Sequence, residues 1–481
     1  MPIVSINPAT GHTLRTFEPL SDDVVKDKLA LAYMASRTYP NVPLEHRALW
    51  MRKLAALLEH EVEELATLLT QEVGKTLVSA RQEILKCATG CRYYAENAQR
   101  ILADEPIPTE NDTYVRWDPL GVVLAVMPWN FPFWQVFRFL CPALMGGNIG
   151  LLKHSSNVPQ CALAIESLVR RAGFPRGTFQ TLLIESRQVE SVLADPRVAA
   201  VTVTGSEAAG RAVAAQAGWL IKKAVLELGG SDPFIVMPSA DLPAAITAAV
   251  KSRCVNNGQS CIAAKRFIIH DDVYDEFEFG FVAAMDALQV GDPMRESTDI
   301  GPLATPQLVT DLEQQIQAAT RAGGRILTGG ERMVGTGNFF EPTVLAGVPR
   351  TASVYRDEFF GPVAMLFPAH TLEEAIDIAN DTPFGLGASV WTNDPAEQQS
   401  FIAALEAGQV FVNTIVASDP RLPFGGIKRS GFGRELSAAG MREFLNAKTV
   451  VIAKPVAPSP AATQTREDFK AAFKDALHKS A

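Results

Sequence analysis

Gly-Val-Val-Leu-Ala-Val-Met-Pro (121–128) is a short, unbroken apolar run closed by a proline. A run of that length suits a strand buried on both faces, and such strands belong to parallel sheets covered by helices. Outward along the chain the same signature returns at 148–153 (Asn-Ile-Gly-Leu-Leu-Lys), 178–183, 198–203 and 234–237. Helical stretches at 159–172, 188–194 and 208–217 lie between them. Strand alternating with helix predicts βαβ units and a parallel sheet. A second alternating set, with strands at 266–270, 363–367 and 409–413 and helices at 271–289 and 306–323, predicts a second α/β domain over about 230–430. The length of 481 residues is too great for one core and fits two or three domains.

Upstream of the first strand, residues 20–103 read as helical. Ser21, followed by Asp22 and Asp23, is an N-cap with acids in the first turn. Residues 44–73 and 76–102 continue the pattern, with Leu49, Leu54, Leu57 and Leu58 on one face and Gly74 as the break. Near the other end, Lys-Thr-Val-Val-Ile-Ala-Lys (448–454) is strand-like and pairs either with another subunit or with residues near 113–118. The tail 455–465 is rich in Pro, Ala and Thr and reads as disordered; 466–479 reads as a short amphipathic helix carrying Phe469 and Phe473. No internal repeat is visible.

A net charge of −9 and a pI near 5.4 argue against nucleic acid as a partner, and an anionic ligand needs a local arginine. The six cysteines are scattered, which is no disulfide framework. Cys87 and Cys91 are one helical turn apart, but no further ligand follows at zinc spacing, so no metal is expected. The N-terminus has no basic, apolar leader, and no run of membrane-spanning length occurs. The chain is read as cytoplasmic.

Cys261, in Val-Asn-Asn-Gly-Gln-Ser-Cys (255–261), is the candidate nucleophile. No histidine stands in its segment, which counts against a cysteine esterase or amidase. Glu227, in Leu-Glu-Leu-Gly-Gly-Ser-Asp-Pro (226–233), supplies a carboxylate instead. A thiol with a carboxylate base predicts attack on a carbonyl, followed by water attack on a thioester. Asn130, in Pro-Trp-Asn-Phe-Pro (128–132), ends the first strand at the usual ligand crevice, where its amide can donate to an oxyanion together with the Cys261 N–H. Lys153 ends another strand and can reach a ribose or a phosphate; a snorkelling lysine is the plainer reading. Gly205 and Ser206 open a helix after a strand, which is an anion site but not the G-x-G-x-x-G fingerprint. Glu358 and Phe360, in Asp-Glu-Phe-Phe-Gly-Pro (357–362), suit a carboxylate on ribose hydroxyls beside an aromatic against a ring; a capped aromatic plug is an equal reading. The segment 423–435 has four glycines and is either an ordered loop of unusual dihedrals or a lid.

Taken together, Pro-Trp-Asn-Phe-Pro, Glu-Leu-Gly-Gly, Asn-Gly-Gln-Ser-Cys, Glu-Phe-Phe-Gly-Pro and Pro-Phe-Gly-Gly-Ile-Lys-Arg-Ser-Gly occur in the order and spacing of the aldehyde dehydrogenase superfamily, which the chain resembles over 3–452. The wording is most similar to bacterial succinate-semialdehyde dehydrogenases. The resemblance implies an α/β fold with two parallel-sheet domains and a small β oligomerisation element. It places an NAD(P)-binding domain at 1–112 and 120–229, a catalytic domain at 230–430, the oligomerisation element at 113–119 and 431–454, and a flexible tail at 455–481. It implies a homodimer or homotetramer that takes a small aldehyde, with NADP or NAD as cofactor. By the same resemblance Cys261 is the nucleophile, Glu227 the base and Asn130 an oxyanion donor. Lys153 holds the adenosine ribose, Ser206 beside Gly205 contacts the pyrophosphate, Glu358 holds the nicotinamide ribose with Phe360 near the ring, and Trp129 lines the adenosine side. Where NAD-preferring members often carry a glutamate, this chain has Ser156; with Lys153 and His154 nearby, a 2′-phosphate is tolerated. Arg138, Phe131, Trp134 and Ser418 are the substrate-binding candidates. Arg138 reads equally as a salt-bridged helix residue. A second arginine often found six residues before the nucleophile is replaced by Val255, and Arg253 is the nearest substitute. Broad-specificity and glutarate-semialdehyde enzymes are the alternatives within the family.

Overall fold

The computed structural model describes residues 2–455 and 460–479, which fall into two compact units. One comprises the chain up to Ile101 together with Asp118–Asn446; the other comprises Leu102–Trp117 and the residues from Ala447 onward.

The first unit holds both large sheets. One sheet runs, from edge to edge, Gly431–Phe432, Lys223–Glu227, Val198–Thr204, Val122–Met127, Ile149–His154 and Phe179–Thr181. All neighbours are parallel except the edge pair Gly431–Phe432 with Lys223–Glu227. The opening run Val122–Met127 is central, and every residue of its neighbour Ile149–His154 is buried, as expected of strands covered on both faces. The second sheet runs Arg325–Thr328, Thr343–Ala346, Val363–Ala369, Arg266–His270, Pro233–Val236, Gly387–Trp391 and Gln409–Val412, parallel except at its first pair.

Helices Asp22–Thr38, Leu44–His60, Val62–Val73 and Leu77–Ile101 replace the three helical segments expected at the start. Ser21 does cap the first, its hydroxyl accepting from the Val24 N–H. Gly74 ends the third with φ 84°. The 44–73 stretch, expected to be continuous, breaks at Glu61. In Leu44–His60 the buried stripe is Ala48, Met51, Leu54, Ala55 and Leu58, while Leu49 points outward. Helix Trp134–Met145 is buried on every side. Its first N–H groups, at Phe133 and Trp134, both donate to Glu83 Oε1 at 2.9 Å, so a carboxylate from the 77–101 helix satisfies that N-terminus. Glu83 is itself held in a buried ion pair with Lys75.

The second unit is a three-stranded sheet in the order Leu445–Ile452, Asp112–Pro119, Glu105–Pro106. The strand read at 448–454 therefore pairs with the 112–119 strand. The terminal helix is Pro460–Lys479, beginning six residues before the 466–479 reading. Its first turn, Pro-Ala-Ala-Thr, lay in the stretch expected to be disordered, where a proline at a helix start and two alanines favour the helix.

Candidate active site

Cys261 stands where two cavities of the first unit meet. One, of about 190 Å³, is walled by Phe131, Trp134, Gln135, Arg138, Val255, Ser260, Cys261, Ser418 and Phe424, with further residues from the 77–101 helix. The other, of about 260 Å³, is walled by Trp129, Asn130, Gln135, Thr204, Gly205, Ser206, Gly229, Cys261, Glu358 and Phe360. Cys261 and Gln135 are common to both. The four substrate-side candidates from sequence thus share one cavity. Trp129, Asn130, Gly205, Ser206, Glu358 and Phe360 share the other.

The loop that presents the thiol has an unusual backbone. Asn256, Asn257 and Gly258 are successive left-handed residues, with φ 55°, 58° and 75°. Asparagine and glycine are the residues that tolerate this conformation. A Cβ on Gly258 would also collide with the Gly361 carbonyl. Buried side chains lock the loop. Asn256 Nδ2 donates to the Asn130 carbonyl at 2.7 Å and to the Gln259 carbonyl at 3.0 Å. Asn257 Nδ2 donates to the carbonyls of Gly74 and Pro302, at 3.0 and 3.1 Å. Arg253 donates to the Gly258 carbonyl at 2.6 Å and is fully buried. It lines neither cavity, so it does not substitute for the arginine missing at Val255.

Lys265 was invisible in the sequence reading. It is fully buried and donates to the carbonyls of Ser260 and Cys261, each at 2.7 Å, with Glu358 at 3.3 Å. One cation therefore ties the cysteine loop to the Glu358 carboxylate, which also accepts from the Gly230 N–H at 3.1 Å. A side chain at Gly229 would displace that carboxylate. Asn130 Nδ2 donates to the Gln259 carbonyl at 3.0 Å, which fixes the amide and leaves its second N–H available. Burial pushes the Cys261 thiol up to about 12, against the pull of Arg138 and Lys265.

Glu227 ends its strand deep in the protein, 2% exposed, and lines neither cavity. Burial raises its pKa well above the carboxylate range, neighbouring Glu435 adds to this, and Arg138 and Arg434 oppose it. The 423–435 segment is ordered: Ile427–Lys428 pairs with Phe384–Gly385, and Gly431–Phe432 pairs with the Glu227 strand. Arg138 takes the salt-bridged reading without leaving the cavity. Its Nε lies 2.7 Å from Glu435 Oε2, both side chains are buried, and its guanidinium sits 4.4 Å from the Phe424 ring centroid.

Ser206 and Gly205 in the second cavity fit a dinucleotide, whereas Lys153 and Ser156, expected beside them, line neither cavity. Ser206 caps the helix Glu207–Trp219, and a Cβ at Gly205 would meet nothing within 4 Å. Lys153 ends its strand with a buried amine, and burial lowers its pKa with no charge or hydrogen bond in opposition. A buried amine of that kind wants an oxygen ligand. Ser156, three residues on, is exposed. His154 does not join Lys153 as expected. Its Nε2 faces the Pro132 carbonyl at 2.9 Å and its Nδ1 accepts from the Ser155 N–H at 2.9 Å; burial lowers its pKa to about 4, so it is neutral. Trp129 stands edge-on to Phe360 with ring centroids 5.8 Å apart, and both line this cavity.

Residues 1–450 match the model of the aldehyde dehydrogenase family. The chain belongs to that family. It is 56% identical over 457 residues to a succinate-semialdehyde dehydrogenase [NADP(+)] of Mycobacterium tuberculosis, covering 94% of this chain and all of the relative. The Mycobacterium leprae enzyme of that name is equally similar over the same span. Among solved structures, the succinic semialdehyde dehydrogenase of Streptococcus pyogenes in complex with NADP+ is 36% identical, with a TM-score of 0.92 over 94% of this chain and all of that one. As in other members of an α/β enzyme family, the site lies at strand ends and the loops after them. Among the described residues no cluster of His, Cys, Asp and Glu is placed to hold a metal ion, and no helix is long and apolar enough to cross a membrane.

Proposed function

We propose that this aldehyde dehydrogenase oxidises succinate semialdehyde to succinate with NADP. The observation that carries the reading is the position of Cys261 as the shared wall of two cavities, one cationic and aromatic, the other lined by the helix start at Ser206 and by Glu358. The names of the relatives supply the aldehyde and the cofactor. No histidine lines either cavity, which disfavours a cysteine esterase or amidase.

In the proposed reaction the Cys261 thiol gives its proton to water, and the thiolate sulfur bonds to the aldehyde carbon as the carbonyl electron pair moves to oxygen. The free N–H of the Asn130 amide and the Cys261 backbone N–H receive the oxyanion. NADP+, when bound, would supply the hydride acceptor that the oxidation needs. Glu227 takes a proton from water, the resulting hydroxide adds to the thioester carbon, and the sulfur leaves as succinate departs. Burial raises the Glu227 pKa, so its carboxylate, once ionised, is more basic than an exposed one. Because it lines neither cavity here, its side chain rotates toward the thioester to act. Lys153 and Ser156 would hold the adenosine ribose and its 2′-phosphate, Ser206 beside Gly205 the pyrophosphate, and Glu358 the nicotinamide ribose with Phe360 near the ring, while Trp129 lines the adenosine side. Arg138, Ser418, Phe131 and Trp134 shape the aldehyde site.

The enzyme acts in the cytoplasm as a homodimer or homotetramer. In support, Leu445–Ile452 is an edge strand whose Val451 and Ile452 are exposed, and an open apolar edge of this kind pairs with another chain. Steady-state kinetics with an aldehyde panel test the reading. The highest kcat/KM is expected for succinate semialdehyde with NADP, above glutarate semialdehyde and butyraldehyde. An NADP value about a hundredfold below that for NAD would contradict the cofactor assignment, since two decades is about 2.7 kcal/mol.

A further inference from the structure

Lys86 belongs to none of the sequence motifs, yet it lines the aldehyde cavity. One face of the helix Leu77–Ile101, carrying Ser79, Gln82, Glu83 and Lys86 at helical spacing, forms a wall of that cavity. Lys86 Nζ donates to Ser418 Oγ at 2.8 Å and sits 4.7 Å from the Trp134 ring centroid. Trp134 Nε1 donates to the same hydroxyl at 2.9 Å. Both acceptor positions of Ser418 are thus filled, and its own hydrogen remains to donate.

The charges around the cavity leave Lys86 outside any ion pair; Asp419 acts on it only through space and is itself paired with Arg421. Glu83 is taken by Lys75 and by the N–H groups of Phe133 and Trp134. Arg138 is taken by Glu435. Among the described residues no carboxylate forms an ion pair with Lys86, whose ammonium has two donors beyond the one given to Ser418. A largely enclosed ammonium facing a cavity is favoured by an anion inside it. Val255, where related enzymes often carry the second arginine, contributes only apolar surface.

We propose that Lys86, together with the Ser418 hydroxyl, recognises the distal carboxylate of the aldehyde and replaces the missing arginine. The inference rests on the proposed oxidation of succinate semialdehyde at Cys261. Its test is the ratio of kcat/KM for succinate semialdehyde to that for butyraldehyde, in which the shared chemistry at sulfur cancels. Lys86→Met keeps the stem over Trp134 and is expected to lower the ratio about 10- to 100-fold, the range for a hydrogen bond to a charged group. Lys86→Arg is expected to restore most of it. A Lys86→Met ratio within about twofold of wild type would overturn the inference and leave the substrate reading standing. A wild-type ratio near unity would overturn the substrate reading and the inference together. Should Lys86→Met not fold, the wild-type enzyme decides. Glu83 and Cys87 on its own helix, Arg138 on the 134–145 helix and Asp419 in the loop surround Lys86, and burial followed by Arg138 brings its pKa down to about 8. Its charge is present below that value and lost above it, so the ratio should fall roughly tenfold between pH 7 and pH 10. A flat ratio across that range would overturn the inference.

Discussion

Arg138 is held at the aldehyde cavity by Glu435, and that pairing gives its removal two separable consequences. Arg138→Ala takes a cation from the cavity wall, so KM for succinate semialdehyde should rise about tenfold more than KM for butyraldehyde. It also leaves Glu435 buried without its partner, which costs about 3–5 kcal/mol of stability and shows as a lower midpoint in urea. Equal KM changes for the two aldehydes would remove Arg138 from carboxylate recognition, whatever the loss of stability. Legibility at this scale divides by where a residue's partners come from. Cys261, Glu227 and Asn130 stand in short strings whose chemistry is local. Lys86 and Glu435 act through partners on distant segments, as does Lys265 toward Glu358, and nothing beside them in the chain reports this. His154 follows the same rule: its neighbours in sequence are polar, but the distant carbonyls of Pro132 and Met127 draw it inward.

Elements were legible where one physical signal governed them. Val122–Met127 and Ile149–His154 are apolar throughout and central in their sheet. Lys223–Glu227 escaped because a charge at each end masks three apolar residues, and Gly387–Trp391 because glycine and serine have poor strand propensity. The buried helix Trp134–Met145 has no capping side chain of its own at Phe133; its N-terminus depends on Glu83 of another helix. Glu83→Gln would weaken that tether and leave Lys75 as an unpaired, fully buried cation. The expected loss is about 3–5 kcal/mol in denaturant unfolding, and a loss under about 1 kcal/mol would show that the pair is dispensable.

At the scale of the molecule, the alternation of strand and helix announced two parallel sheets, but not that both would lie in one compact unit. Sequence spacing carries the order of strands and not the contacts between sheets, which are set by loops such as 255–261 and 423–435. The 448–454 strand left two partners open because a single edge reads alike inside a chain and between chains. Its pairing with the 112–119 strand satisfies one edge and leaves the other open among the described residues.

On this reading Cys261 forms a thioester that Glu227 releases. Intact-protein mass spectrometry of Glu227→Gln, mixed with succinate semialdehyde and NADP+, tests this. One succinyl adduct per chain is expected, located on the peptide carrying Cys261, with turnover reduced by at least about a hundredfold. Turnover at the wild-type rate without any adduct would contradict it.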